Sequence, residues 1–166
     1  MTKFDMRGPW IGCIVALLAT SCALDATIKK TYDQNVVIDE VTAFVDDWAR
    51  SSAERRWDDL KTYYSTYDGF VWIEQGVIRY TSHPSLVASL DQVVEQSVSV
   101  ETEITNLVIT PIDRSTAALY AGISIRFDFG WQEPFEFDGI FSAIVIKRNG
   151  AWAYIQGHMS NPTRGH

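Results

Sequence analysis

Two side chains in this sequence have the chemistry to move a proton near neutral pH, and they lie far apart in the chain. His158 belongs to the alternate set Trp152, Tyr154, Gln156, His158 and Ser160 of a strand-like run. An imidazole there titrates near neutrality and can exchange protons with a bound carbonyl or hydroxyl. Glu74 shares a strand face with Phe70 and Trp72, and a carboxylate among rings has its pKa raised toward that of a useful base. Both have plainer readings: His158 as a core histidine bonded to backbone or to Ser160, and Glu74 as a solvated residue beside a Gln75-Gly76 turn. Tyr63, Tyr64, Tyr67, Trp72, Tyr80, Phe141 and Tyr154 are available to line an apolar cavity, although rings at such spacing also make an ordinary core.

Other chemistries have little support. His83, His158 and His166 are scattered and no Cys pair or His-x-His occurs, so no metal site is expected. Neither G-x-S-x-G nor a phosphate-binding glycine loop is present, and no cofactor is expected. The formal net charge of -7 and the lack of clustered Lys and Arg exclude nucleic acid as the natural partner. Arg126 and Asp128 read as a surface pair.

The element that must position His158 is a hairpin over 135–160, turned at Asn149 and Gly150, where a type I′ loop needs positive φ at both central residues. With Arg148 facing Ala151, simple alternation sets Val145 against Tyr154, Ile144 against Ile155 and Phe141 against His158. His158 then shares a face with Trp152 and Tyr154. Ile155 and Met159, backed by Ile140, Ile144 and Ile146, fall on the other face. Such an apolar outer face would be unusually large if left exposed, and a homodimer built on it is expected.

Upstream, apolar residues from Ile38 through Val41, Phe44, Val45 and Trp48 predict a helix, and Trp57, Leu60, Tyr63 and Tyr64 a second one from near Arg55. Residues 70–74 and 77–80 read as a small hairpin. Ser82 and Pro84 mark the start of a third helix through Leu86, Leu90 and Val93. Strands over 101–110 and 117–131 precede the final hairpin. Helices first and a long sheet afterwards is the pattern of one α+β domain, with a mainly antiparallel sheet and three N-terminal helices on one face. At 166 residues the chain is long enough for one well-buried core.

Trp48 in the first helix, the hairpin ending in Gly76, the third helix and the closing Trp152-Ala153-Tyr154-Ile155-Gln156-Gly157-His158-Met159-Ser160 resemble the nuclear transport factor 2-like superfamily, in particular its SnoaL-like branch. The resemblance covers residues 38–160. It implies a curved sheet wrapped around its helices into a cystatin-like cone, with a pocket at the wide end. Relatives include ketosteroid isomerases, polyketide cyclases and dehydratases, but a shared fold does not transfer activity. The isomerase base lies on the matching short strand. Here Trp72 and Ile73 stand closest to that place and neither accepts a proton. The reading preferred is a protein that binds a small apolar or aromatic ligand, or a partner protein. The alternative is an acid/base enzyme of isomerase, cyclase or dehydratase type using His158 with Glu74.

The amino terminus carries a cellular address. Lys3 and Arg7 precede an apolar run from Trp10 to Ala19, too short for the ~20 residues a spanning helix needs, as in a secretory signal. The run Leu17-Leu18-Ala19-Thr20-Ser21-Cys22 resembles a bacterial lipoprotein signal, with Ala19 where Leu is usual. The expected division is a signal over 1–21, a tether over 22–37, the domain over 38–160 and a tail over 161–166. Cys22 is then lipidated and holds the protein to a membrane of the cell envelope. The alternative is cleavage after Ala23, leaving a soluble periplasmic or secreted protein.

Overall fold

The computed structural model describes residues 32–161. The expected signal, Cys22, most of the tether and residues 162–166 of the tail lie outside the described residues.

Helix α1 (Gln34–Ala53) starts at Asp33, whose side chain accepts from the Asn35 amide at 2.9 Å and satisfies a donor that a helix start leaves open. Val37, Val41, Val45 and Trp48 recur at helical spacing and are buried. The start is earlier than the apolar pattern from Ile38 indicates. Residues 34–37, read as tether, are helical, because the Asp33 cap lets the first turn bury Val37 on the same stripe as Val41. Past the helix end, Arg55 has a φ of 57°, a conformation usually left to glycine. Its guanidinium donates to the carbonyls of Ser97 at 2.7 Å and Val98 at 2.9 Å, which ties this corner to the chain that follows the third helix.

Helix α2 (Trp57–Thr62) is a short turn and a half, so Tyr63 and Tyr64 follow it instead of belonging to it. Strands β1 (Val71–Glu74) and β2 (Val77–Tyr80) close on Gln75 and Gly76, both at positive φ as a type I′ turn requires. Helix α3 (His83–Gln96) is capped by Ser82, with Pro84 in its first turn. Then come β3 (Ser99–Asp113), β4 (Thr116–Asp128), β5 (Phe135–Arg148) and β6 (Ala151–Ser160).

These strands form one curved, unclosed sheet in the order β2-β1-β6-β5-β4-β3, antiparallel except for the β1–β6 pair. This is the expected α+β architecture, with α3 inserted after the first hairpin. The core lies between α1 and the inner sheet face, where Trp48 meets Phe141 at 5.7 Å and Tyr154 at 5.6 Å between ring centroids. Tyr154 and Phe141 are fully buried.

The register of the final hairpin corrects the expected one. Pairing runs as anticipated from Arg148 with Ala151 to Val145 with Tyr154, but Ile144 then faces Gln156, not Ile155. Ile155 is the extra residue of a β-bulge, and one extra residue exchanges the faces of everything beyond it. It sits where the neighbour of β6 changes: Tyr63 and Ser65 bond to the backbone of Tyr154, whereas β1 pairs from Gln156 onward. Consequently Gly157 and Met159 turn inward, while Gln156 and His158 turn outward. Met159, placed on the outer face by simple alternation, is buried inside. His158 faces Ser142, not Phe141.

Candidate functional site

A cavity of about 370 Å³ opens beside the core on the helix side of the sheet. Trp48 of α1, Leu60 of α2, Tyr64, Trp72 of β1 and Leu86 of α3 supply its buried end. Phe135 and Glu136 of β5, both exposed, stand at its open end, with Phe127 of β4 and Tyr80 of β2 between. The wall is therefore mainly apolar and rich in rings, as ligand pockets commonly are, with polar and charged residues interspersed.

Glu74 is one of those polar groups. It follows Trp72 by two residues, so the strand period brings it to the same inner face. Burial pushes its carboxyl above the usual carboxylate range, and the Arg79 guanidinium and the Trp72 indole offset part of that push. Arg79 Nε stands 3.6 Å from Glu74 Oε2 across the β1–β2 turn. Tyr80 shares a 2.6 Å hydrogen bond with Ser89 of α3, which holds the hairpin against that helix. Tyr64 is buried at the inner end, and its hydroxyl accepts from Trp48 Nε1 at 3.1 Å. Burial raises its phenol far above the ordinary tyrosine value, so it is neutral.

The remaining ring residues proposed as cavity lining lie elsewhere. Phe141 and Tyr154 form the core beneath the cavity, fully covered by neighbours. Tyr63 is buried outside the cavity wall, donating to Asp47 and accepting from Ser51. Tyr67 is exposed, under the Arg148 guanidinium at 5.5 Å. His158 is on the outer face, in a shallow depression with Ile73, Ser142, Ile144 and Gln156. The bulge at Ile155 is the cause, and it separates His158 from Glu74 by the thickness of the sheet. Of the expected set, Tyr64, Trp72, Tyr80 and Glu74 are brought together.

The sequence reading missed Trp57 and the contributions of Phe127, Phe135 and Phe137. The alternation of β4 marks Phe127 as inward-facing, yet nothing in it tells a cavity wall from a core. The Glu74–Arg79 pair was readable in principle, since a two-residue turn sets Glu74 opposite Val77 and brings Arg79 within diagonal reach across the strands.

Residues 41–164 match the SnoaL-like domain family. The chain belongs to that family. No curated protein matches it. Among solved structures it is similar to a candidate scytalone dehydratase from Novosphingobium aromaticivorans, at 10% identity and a TM-score of 0.67, covering 75% of this chain and 83% of that one. It is similar to a candidate dehydratase of the NTF2-like family from Streptomyces avermitilis, at 9% identity and 0.66, covering 77% and 97%. An NTF2-like protein of unknown function from Shewanella oneidensis aligns at 13% identity and 0.59, covering 75% and 98%. At these identities the likeness concerns the fold.

Proposed function

We propose that this SnoaL-like domain binds a small, largely apolar or aromatic ligand in the cavity beside Trp72, oriented by Tyr64 and Glu74. The observation that carries the reading is a ring-rich, mainly apolar cavity whose wall includes Glu74, a carboxyl that burial pushes above the usual carboxylate range. Binding of an environment-sensitive apolar dye to the full chain tests it. Val93→Trp fills the cavity from α3 and should abolish dye binding while the fold survives. Equal binding by that variant would overturn the reading.

A second reading keeps acid/base chemistry and moves it. With His158 outside the cavity, the raised carboxyl of Glu74 is the group placed to accept a proton from a bound ligand. Two of the similar structures are described as candidate dehydratases, which favours the same class of step. Turnover abolished by Glu74→Gln and untouched by His158→Phe is its expected signature.

Two further parts of the proposal concern placement. The order of charged, apolar and small residues before Cys22 supports export and lipid attachment there, tethering the domain to a membrane. Intact mass of the mature amino terminus decides it. The outer sheet face supports a homodimer: a row runs across it from Val108 through Tyr120, Ser142 and His158 to Ile73 and Ile78. Tyr120 and Ile78 in that row, and Ile140 in the next, are about half exposed, a broad apolar surface for a monomer to leave in water.

A further inference from the structure

Hydrogen-bond donors can be counted: among the described residues Tyr154 Oη has no partner in the core beneath the cavity, and in the cavity wall itself the Tyr64 proton is left over. An indole N–H donates and cannot accept, so in the 3.1 Å bond between Trp48 Nε1 and Tyr64 the phenol oxygen is the acceptor. The phenol proton remains to be placed. Among the described residues no acceptor lies within hydrogen-bond distance of it, and the neighbours of Tyr64 are rings, with Trp72 at 5.3 Å and Tyr154 at 5.9 Å between centroids. Tyr64 is only 5% exposed and belongs to the cavity wall. A buried hydroxyl that donates to nothing is costly, and whatever occupies the cavity can relieve that cost. The indole bond also polarises the phenol, which makes its proton a better donor.

We propose that Tyr64 is the specificity-determining donor of the cavity, selecting uncharged apolar ligands that present a hydrogen-bond-accepting oxygen, foremost a carbonyl. A carbonyl suits the site because it accepts without bringing a proton of its own into an aromatic surround. Anionic ligands are disfavoured, since Glu74 already places a carboxylate in the same wall and the Arg79 charge is engaged with it at 3.6 Å. The inference rests on the cavity reading above and sharpens it.

The test compares 1-tetralone with tetralin, two bicyclic compounds of similar shape that differ by the ketone oxygen, binding to the full chain. Tyr64→Phe should lower the affinity ratio of tetralone to tetralin by about tenfold or more, with tetralone losing the hydrogen bond that tetralin never makes. The ketone stretch of bound tetralone should lie at lower frequency in the wild type than in Tyr64→Phe. Because Tyr64→Phe leaves the Trp48 N–H without its acceptor, Trp48→Phe alone and Trp48→Phe with Tyr64→Phe give a second comparison from which the indole donor is absent on both sides. The same loss of ratio is expected between those two. A ratio that survives removal of the Tyr64 hydroxyl overturns the assignment and leaves the cavity reading standing. Failure of both compounds to bind the wild type overturns both.

Discussion

Gly157 of β6 lies directly opposite Trp72 of β1, and a Cβ at position 157 would run into the Trp72 indole. The ring that forms part of the cavity's buried end is thus laid across the one position of β6 with no side chain. Its neighbour Tyr64 meets it at 5.3 Å, so displacement of Trp72 reaches the proposed donor as well.

Gly157→Ala should therefore destabilise the fold by about 1–3 kcal/mol, the usual cost of forcing extra volume into a packed site. It should also weaken dye binding, because Trp72 must shift. Chemical denaturation and a dye titration of the folded variant read the two effects. A variant of wild-type stability would mean that Trp72 has another place to go.

His158 supplies a contrasting prediction. It lies on the outer face opposite Ser142, so His158→Phe should change cavity affinity by less than about twofold. Glu74→Gln, in the cavity wall, should change it more. Calorimetric titration of one probe against both variants separates the faces. Loss of binding in His158→Phe alone would contradict the bulged register.

The fold was legible in the sequence because its signals are local: helical spacing from Val41 to Trp48, the Ser82 cap, the Asn149-Gly150 turn and sustained alternation in β4. The site was less legible because it depends on a single inserted residue. Nothing about Ile155 as a residue type announces a bulge; the bulge comes from the change of neighbour on the far edge of β6, a tertiary event. Glu74 could be placed on the face of Trp72 by counting alone. Whether that face was solvated depended on α3 and β5 folding over it, which no local pattern records.

The proposed homodimer is open to direct measurement. Tyr120 pairs with Ser142 at the middle of the outer face and is 53% exposed. Tyr120→Asp would set a carboxylate against its own copy or against apolar neighbours, and should yield monomer under conditions where the wild type is expected to pair. Light scattering at micromolar concentration reads it, and a wild-type monomer would refute the assignment.

Acid should loosen the join between α1 and the final hairpin. Lys147 Nζ donates to Glu40 at 2.7 and 2.8 Å and Trp152 Nε1 donates at 3.0 Å, and the Lys147 bond is the main reason the carboxyl is held below its usual range. Asp47 is lowered too, chiefly by the Tyr63 hydroxyl and then by Arg50. A folded-state pKa below the unfolded one adds stability that is present above the unfolded value and disappears as pH falls through the folded one. Glu40→Gln should therefore cost up to about 1 kcal/mol at neutral pH and nothing in strong acid, a small figure because the pair is partly exposed. Thermal melts from neutral to acidic pH check the convergence.

Glu74 should behave in the opposite sense when a ligand arrives. Its carboxyl is already raised, first by burial, and an apolar ligand that covers it removes more water from the charged form. Binding of tetralin should then raise the pKa further and take up protons, so affinity rises as pH falls from neutral toward the Glu74 value. In Glu74→Gln the profile should be flat, at the tighter affinity seen in acid. A ligand whose hydroxyl donates to the ionised carboxylate reverses the sign, because that bond favours the charged form. Calorimetry in two buffers of different ionisation enthalpy measures the proton uptake directly. An unchanged pH profile in Glu74→Gln would remove Glu74 from the binding surface.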